Sequence, residues 1–250
     1  MARVFEKTYE VEYRDTNPRR ECNFSSYMEF MADVAFKHDS SLGLSLSDLL
    51  ESNHTWVVFD YKIRAFIPTN YQDELRVTTY IKTFRKYFAV RVFEIYNQEN
   101  ELVLQSESLA FFIDTIKAKP CSIPEYYYEK YKISEEDKKI KIDKLKLKKP
   151  EKIDIEKQFE VRYTDIDFNS HVGNVHYVKW IIDSMPFNIV KNYRVSEFNI
   201  KYEKEIKKQC YINVKTQIEY KEDKVHANHI ILDDENNEIA LLESYWEEIK

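Results

Sequence analysis

The sequence predicts an α+β fold made of one domain used twice, each copy a long helix wrapped by a curved antiparallel sheet. Three observations carry this. The segment Tyr9-Glu-Val-Glu-Tyr-Arg-Asp-Thr-Asn17 aligns with Phe159-Glu-Val-Arg-Tyr-Thr-Asp-Ile-Asp167 at an offset of 150, and the match continues to Tyr27/Tyr177 and Asp33/Asp183. A second match returns near the end of each half at an offset of 136, where Glu99-Asn100 meets Glu235-Asn236 and Glu107-Ser108 meets Glu243-Ser244. Two matches in the same order identify a duplication, with the second copy shorter after its helix, around Ser40–Asn53. Finally, both copies run in one order: an extended segment, an apolar-faced helix, then four alternating strands.

The elements follow in turn. Val4–Tyr13 reads as extended. The first helix follows, with Tyr27, Phe30, Met31, Val34 and Ala35 on one stripe. Ser26 with Glu29 has the spacing of a capping box at its start. Val57–Ile63 and Leu75–Ile81 alternate as half-buried strands do, and Asn97–Asn100 is a turn between Phe88–Tyr96 and Glu101–Ile113. The second copy gives Lys157–Tyr163, a helix striped by Val178, Ile181, Ile182 and Met185 with Pro186 beyond it, and strands over 198–202, 212–220, 225–232 and 239–246. The domains read as 1–130 and 153–250, separated by a linker over 131–152 whose stretch from Lys138 to Lys152 carries eight lysines.

Composition bounds the chemistry. The chain has 250 residues, 15% of them aromatic, enough to fill real cores. Its two glycines, Gly43 and Gly173, lie far apart, which excludes a Gly-rich phosphate loop and a dinucleotide fingerprint. A net charge of -6 disfavours a generally basic nucleic-acid binder. No apolar run approaches the ~20 residues of a membrane helix, and the charged N-terminus lacks a signal-peptide core. Three scattered cysteines suggest a reducing compartment. The expectation is a cytoplasmic protein without cofactor or metal. His226 and His229 form a possible metal pair, but no third ligand sits at a strengthening spacing.

The copies differ at one place. The second reads Asp167-Phe-Asn169-Ser-His171-Val-Gly173-Asn174, where the first has Asn17, Arg19 and Glu21 at the positions of Asp167, Asn169 and His171. In extended chain a spacing of two puts all three side chains on one face. A carboxylate, an amide and an imidazole facing one spot position and activate a water, and a helix start beyond offers free N–H groups to an oxyanion. The same run also reads as a plain turn with capping side chains.

Arg162-Tyr-Thr-Asp-Ile-Asp-Phe-Asn-Ser-His-Val-Gly-Asn-Val-His-Tyr-Val-Lys-Trp180 resembles the signature of hotdog-fold thioesterases. Its spacing is most similar to the acyl-acyl carrier protein thioesterases of plants and bacteria, whose chains are two fused hotdog domains. Thr55–Val58 and Ala65–Pro68 resemble the family's first-domain strand, Tyr202–Glu205 the strand carrying its catalytic glutamate, and Glu243–Trp246 its C-terminal strand. The resemblance implies a catalytic set of Asp167, Asn169, His171 and Glu205, with Glu205 the preferred base and Asn169 and His171 polarising the thioester. It implies acyl-chain binding by the first domain, where Tyr27, Met31, Val34 and Trp56 are the contact candidates, and a backbone donor near Gly173 and Asn174. Where the family often has Asn-Asn after His-Val, this chain has Gly173-Asn174, and where plant members place Cys after the catalytic Glu it has Ile206. The implied partner is acyl carrier protein bearing a phosphopantetheine-linked acyl chain, with docking on Arg19-Arg20, Lys82-Arg85-Lys86 or the linker lysines. A monomer, as a pseudo-dimer, or a homodimer fits two fused domains. Rival readings are an acyl-coenzyme A thioesterase and a non-catalytic acyl-binding module.

Overall fold

In the computed structural model, which describes residues 3–44, 49 and 51–249, the chain divides into two units, Met1–Lys144 and Leu145–Lys250.

The first unit opens with β1 (Phe5–Glu10), a single 3-10 turn (Tyr13–Asp15) and α1 (Phe24–Ser41). Strands β2 (His54–Ala65), β3 (Glu74–Arg85), β4 (Phe88–Tyr96) and β5 (Leu102–Asp114) follow, then the short β6 (Lys119–Pro120) and α2 (Glu125–Tyr131). The sheet runs β1-β3-β4-β5-β2, antiparallel throughout. Bulges at Val58/Asp60 and Ile81/Thr83 bend its strands, as curvature around a helix requires. Leu75, Val77, Phe93, Ile95 and Leu104 form one buried face, and Val92 and Val103 are buried on the other.

The second unit repeats the plan: β7 (Ile155–Glu160), a 3-10 turn (Tyr163–Asp165), α3 (Asn174–Ser184), the short α4 (Phe187–Asn192), then β8 (Tyr193–Tyr202), β9 (Tyr211–Lys221), β10 (Lys224–Asp233) and β11 (Glu238–Glu248). Its sheet runs β7-β9-β10-β11-β8, the same order strand for strand. Val161, Val178, Ile181, Phe198, Ile212 and Val214 fill its core. Pro186 falls between α3 and α4, where its fixed φ starts the second helix rather than extending the first.

Two local expectations are corrected. The capping box at Ser26 does not form: α1 starts three residues earlier, with Asn23 as its N-cap. The cause is the preceding turn, in which the Asp15 carbonyl accepts the Asn23 N–H (2.7 Å) and the Ser26 hydroxyl (3.4 Å). At the other end Gly43 takes φ 63, and the Leu44 N–H returns to the Asp39 carbonyl at 2.9 Å, a left-handed helix stop that favours glycine. Residues 45–48 and 50, part of the stretch where the copies differ in length, lie outside the described residues.

The Lys-rich segment is tied down through its backbone. The Arg85 guanidinium donates to the Lys138 carbonyl (3.0 Å), Lys62 to the Asp143 carbonyl (2.8 Å), and the Glu151 N–H to Gln217 Oε1 (2.8 Å).

The first unit also holds a half-buried charge cluster that no periodicity reveals. Arg91 on β4 donates to Asp39 Oδ1 at 2.5 Å and to the Tyr131 hydroxyl at 3.1 Å, while Tyr131 donates to the same carboxylate. Removing one partner from such a pair leaves the other charge stranded away from water. Asp39→Ala is expected to lower the unfolding free energy by about 2 kcal/mol. Urea unfolding measures this, and a loss under about 0.5 kcal/mol, the size of an ordinary surface substitution, would contradict it.

Candidate active site

The segment Asp167–His171 is a tight turn, not the extended run its spacing suggests. The Ser170 N–H donates to the Asp167 carbonyl and the Asp167 N–H to the His171 carbonyl, both at 2.9 Å. Ser170 accordingly takes φ 63. Asp167 Oδ1 accepts the Asn169 N–H at 2.8 Å, its Oδ2 lies 3.5 Å from Asn169 Nδ2, and His171 Nδ1 lies 3.1 Å from the Asn169 carbonyl oxygen. A reversal closed by an Asx bond therefore gathers the three side chains; a shared strand face does not.

The turn abuts the start of α3. The Gly173 N–H donates to the Asp165 carbonyl at 3.0 Å, and Gly173 is the N-cap. A Cβ at Gly173 would meet His176 at 3.5 Å and Asp167 at 3.8 Å, ordinary contacts, so glycine is not sterically required there. Asn174 begins the helix, and its carbonyl accepts the Tyr202 hydroxyl at 3.2 Å.

Glu205 lies in the loop between β8 and β9. Its neighbour Ile206 is buried and accepts the Val172 N–H at 2.8 Å, which fastens the loop beside His171. Tyr177, in the first turns of α3, has its phenol pushed up by burial and further by the charges of Glu205 and Cys210. The Val172–Ile206 bond sets Glu205 in a loop that adjoins the turn one residue beyond His171. With Ile206 after it, no thiol is available at that position.

The first unit shows which of these features are scaffold. Asn17 closes the same turn: its Oδ1 accepts the Arg19 N–H (2.9 Å), and Arg20 takes φ 65. The Cys22 N–H donates to the Thr69 carbonyl and the Asn23 N–H to the Asp15 carbonyl. Cys22 thus corresponds to Val172 and Thr69 to Ile206, which puts Pro68 at the place of Glu205. The site positions hold Arg19 and Glu21, ion-paired at 2.9 Å. Cys22 is buried there and its thiol is pushed up to about 12 by burial and the nearby Asp15 carboxylate.

Tyr27, Met31 and Val34 share one buried face of α1, and Tyr27 hydrogen-bonds Thr69 Oγ1 at 2.7 Å. Trp56 instead packs among Phe84, Phe112 and Tyr127, with the Phe112 ring centre 5.0 Å away. Asp165 was not singled out for the site, although its identity with Asp15 marked it. It is buried; burial alone would raise its carboxyl, but bonds from the Arg162 guanidinium and N–H hold it below the usual carboxylate range.

His226 and His229 point apart, as residues three apart on a strand must. His229 is bonded between Thr216 (2.9 Å) and Ser244 (2.8 Å), and His226 meets Glu243 at 2.8 Å. Among the described residues no cluster of His, Cys, Asp or Glu is placed to hold a metal ion. Nor is any described helix long and apolar enough to cross a membrane.

A helix-and-sheet unit used twice, with a turn–helix site elaborated in the second copy, defines a tandem hotdog protein. A 12:0-ACP thioesterase from Umbellularia californica shares the fold with TM-score 0.84 at 18% identity, over 98% of this chain and 94% of that one. A Lactobacillus plantarum protein assigned as an oleoyl thioesterase reaches 0.90 at 20% identity over 100% and 98%. Residues 2–131 match the model of the acyl-ACP thioesterase N-terminal domain and residues 148–248 that of the C-terminal domain. The chain belongs to the acyl-ACP thioesterase family. A dodecanoyl-[acyl-carrier-protein] hydrolase of Cinnamomum camphora is 23% identical over 219 residues, 81% of this chain and 56% of that protein. The chain spans little more than half the length of such curated relatives.

Proposed function

We propose that the protein hydrolyses the thioester of acyl-acyl carrier protein and releases free fatty acid. The observation that carries this is the asymmetry within the duplication. Both units build the same turn before the helix, but the second carries Asn169 and His171 on it and Glu205 in the adjoining loop, where the first has Arg19, Glu21 and Pro68.

In the proposed reaction Glu205 takes a proton from a water whose oxygen attacks the thioester carbonyl carbon. Asn169 and His171, with the first N–H groups of α3, hold the oxyanion that forms. The C–S bond then breaks, the carrier thiol leaves with a proton, and the acyl group departs as the carboxylic acid. The first domain, 1–130, is proposed to bind the acyl chain, with Tyr27, Met31, Val34 and Trp56 as contact candidates and Gly173 and Asn174 at the substrate side of the helix start. The second, 153–250, is proposed to be catalytic, with 131–152 as the linker.

A carrier protein with an acidic surface needs cations to meet. Of the three candidate patches, Arg19 is paired with Glu21 and Lys82 with Glu107, and Arg85 bonds the Lys138 carbonyl. Lys139, Lys141, Lys144, Lys146 and Lys148 are exposed and make no ion pair among the described residues, which favours the linker.

The test is hydrolysis of one acyl chain presented on carrier protein and on coenzyme A. Higher kcat/KM on the carrier is expected. Preference for coenzyme A would make the protein an acyl-coenzyme A thioesterase. Acyl binding without turnover above background would make it a binding module.

A further inference from the structure

We propose that Lys207 is the positioning residue for Glu205, an inference that rests on the hydrolase reading above. The loop after β8 reads Glu203-Lys-Glu-Ile-Lys-Lys-Gln-Cys210 and contains five charges, Glu203, Lys204, Glu205, Lys207 and Lys208. Two of its three lysines are ion-paired, as is Lys201 at the end of β8. Lys201 pairs with Glu203, and Lys204 reaches Asp233 at 3.2 Å. Lys207 Nζ lies 2.9 Å from Glu205 Oε2.

The backbone around this pair is fixed on both sides. Ile206, between the two residues, is buried and accepts the Val172 N–H, and the Cys210 carbonyl accepts the Val161 N–H at 2.9 Å. The pair therefore sits on a pinned stretch, and what remains free is the three-torsion side chain of Glu205. Lys207, itself exposed, holds that side chain from the solvent side.

The first unit supplies an internal control. The same two backbone anchors recur there as Cys22 N–H to Thr69 and Val11 N–H to Asp73, at 2.8 and 2.9 Å. The intervening stretches are equal in length, and Pro68 and Asn70 stand where the second unit has Glu205 and Lys207. The loop folds without the ion pair, so the pair is not needed to build it. Both of its members are missing together from the copy that lacks Asn169 and His171. An exposed ion pair adds at most about 1 kcal/mol to stability. Its use here is geometric: a base held in line with its water reacts faster than one that swings.

The test uses steady-state kinetics on the full chain with acyl-carrier substrate. Lys207→Ala is expected to lower kcat about fivefold to tenfold with KM within about twofold, and Lys207→Arg to recover most of the loss, as misaiming a reacting group predicts. In a Glu205→Gln background, Lys207→Ala is expected to add nothing, because the residue acts through Glu205. Additive losses in the double variant would overturn the proposal, and so would a raised KM with unchanged kcat, which would make Lys207 a substrate contact. Wild-type turnover with an unaltered Lys207→Ala enzyme removes this inference alone. Absence of wild-type turnover removes the hydrolase reading and this inference with it.

Discussion

Glu205→Gln is expected to lower kcat on acyl-carrier substrate by at least about a hundredfold, and Asn169→Ala and His171→Ala by at least about tenfold each. The effect is expected in kcat more than in KM, because these groups are proposed to act on charge that develops after binding. Asp167 needs a finer substitution. Its carboxylate closes the turn by accepting the Asn169 N–H, and Asn17 does the same work in the first unit. Asp167→Asn is therefore expected to keep the turn and remove only the charge, whereas Asp167→Ala removes both. If the charge serves the chemistry, the two variants both lose activity and only the alanine loses stability. Full activity in Asp167→Asn would assign Asp167 to the scaffold. Glu21→Gln, in the unit whose site positions hold an ion pair, is expected to leave turnover within about twofold, the range of a substitution outside the reacting groups. Equal losses from Glu21 and His171 variants would mean that both sites share the reaction.

Most of the fold was legible because apolar spacing alone encodes it. Phe88–Tyr96 is a strand over the bounds its alternation gives, and the duplication announced the shared strand order of the two sheets. The site was legible in part. Asp167, Asn169 and His171 were visible as chemistry-bearing types at regular spacing, but their assembly was misread. Spacing of two implies a strand, whereas a single residue at positive φ, Ser170, reverses the chain. Nothing in the composition of Ser170 marks that reversal, since Asn and Gly are its usual signals. Glu205 sat in an alternating charge run like any exposed strand face, and only the family resemblance singled it out. Arg91, Asp39 and His38 were invisible for a related reason. A charged or imidazole side chain in an amphipathic pattern is assigned to solvent, and only tertiary packing reveals that another charged group meets it inside.

His38 and His229 give the second large effect, a loss of stability on mild acidification. Both are completely buried, one in each unit. Burial, aided by Arg91 and Arg3, pushes His38 down to about 3, and burial, aided by His226, does the same to His229. The geometry at His38 agrees. Its Nδ1 faces an Arg91 nitrogen at 3.5 Å, and a guanidinium only donates, so that ring nitrogen is the acceptor of a neutral imidazole. Protonation would set two donors and two positive charges against each other, between the rings of Phe5 and Tyr131. In the unfolded chain each imidazole titrates near 6.5. Between pH 6.5 and about 3 the unfolded state therefore binds one more proton per histidine than the folded state, and stability falls as pH falls. The slope is about 1.4 kcal/mol per pH unit for each histidine, so moving from pH 7 to pH 5 costs each unit about 2 kcal/mol. The carboxylates held low, such as Asp233 at about 2 and Glu243, act only below their unfolded values of 3.8 and 4.5, under the range between pH 7 and pH 5. Urea unfolding at the two pH values measures the drop. His229→Gln is expected to flatten the pH dependence of the second unit alone, and His38→Gln that of the first. Midpoints that do not move between pH 7 and pH 5 would mean that both imidazoles are protonated inside the folded chain, against the donor facing His38 and the hydroxyl partners of His229.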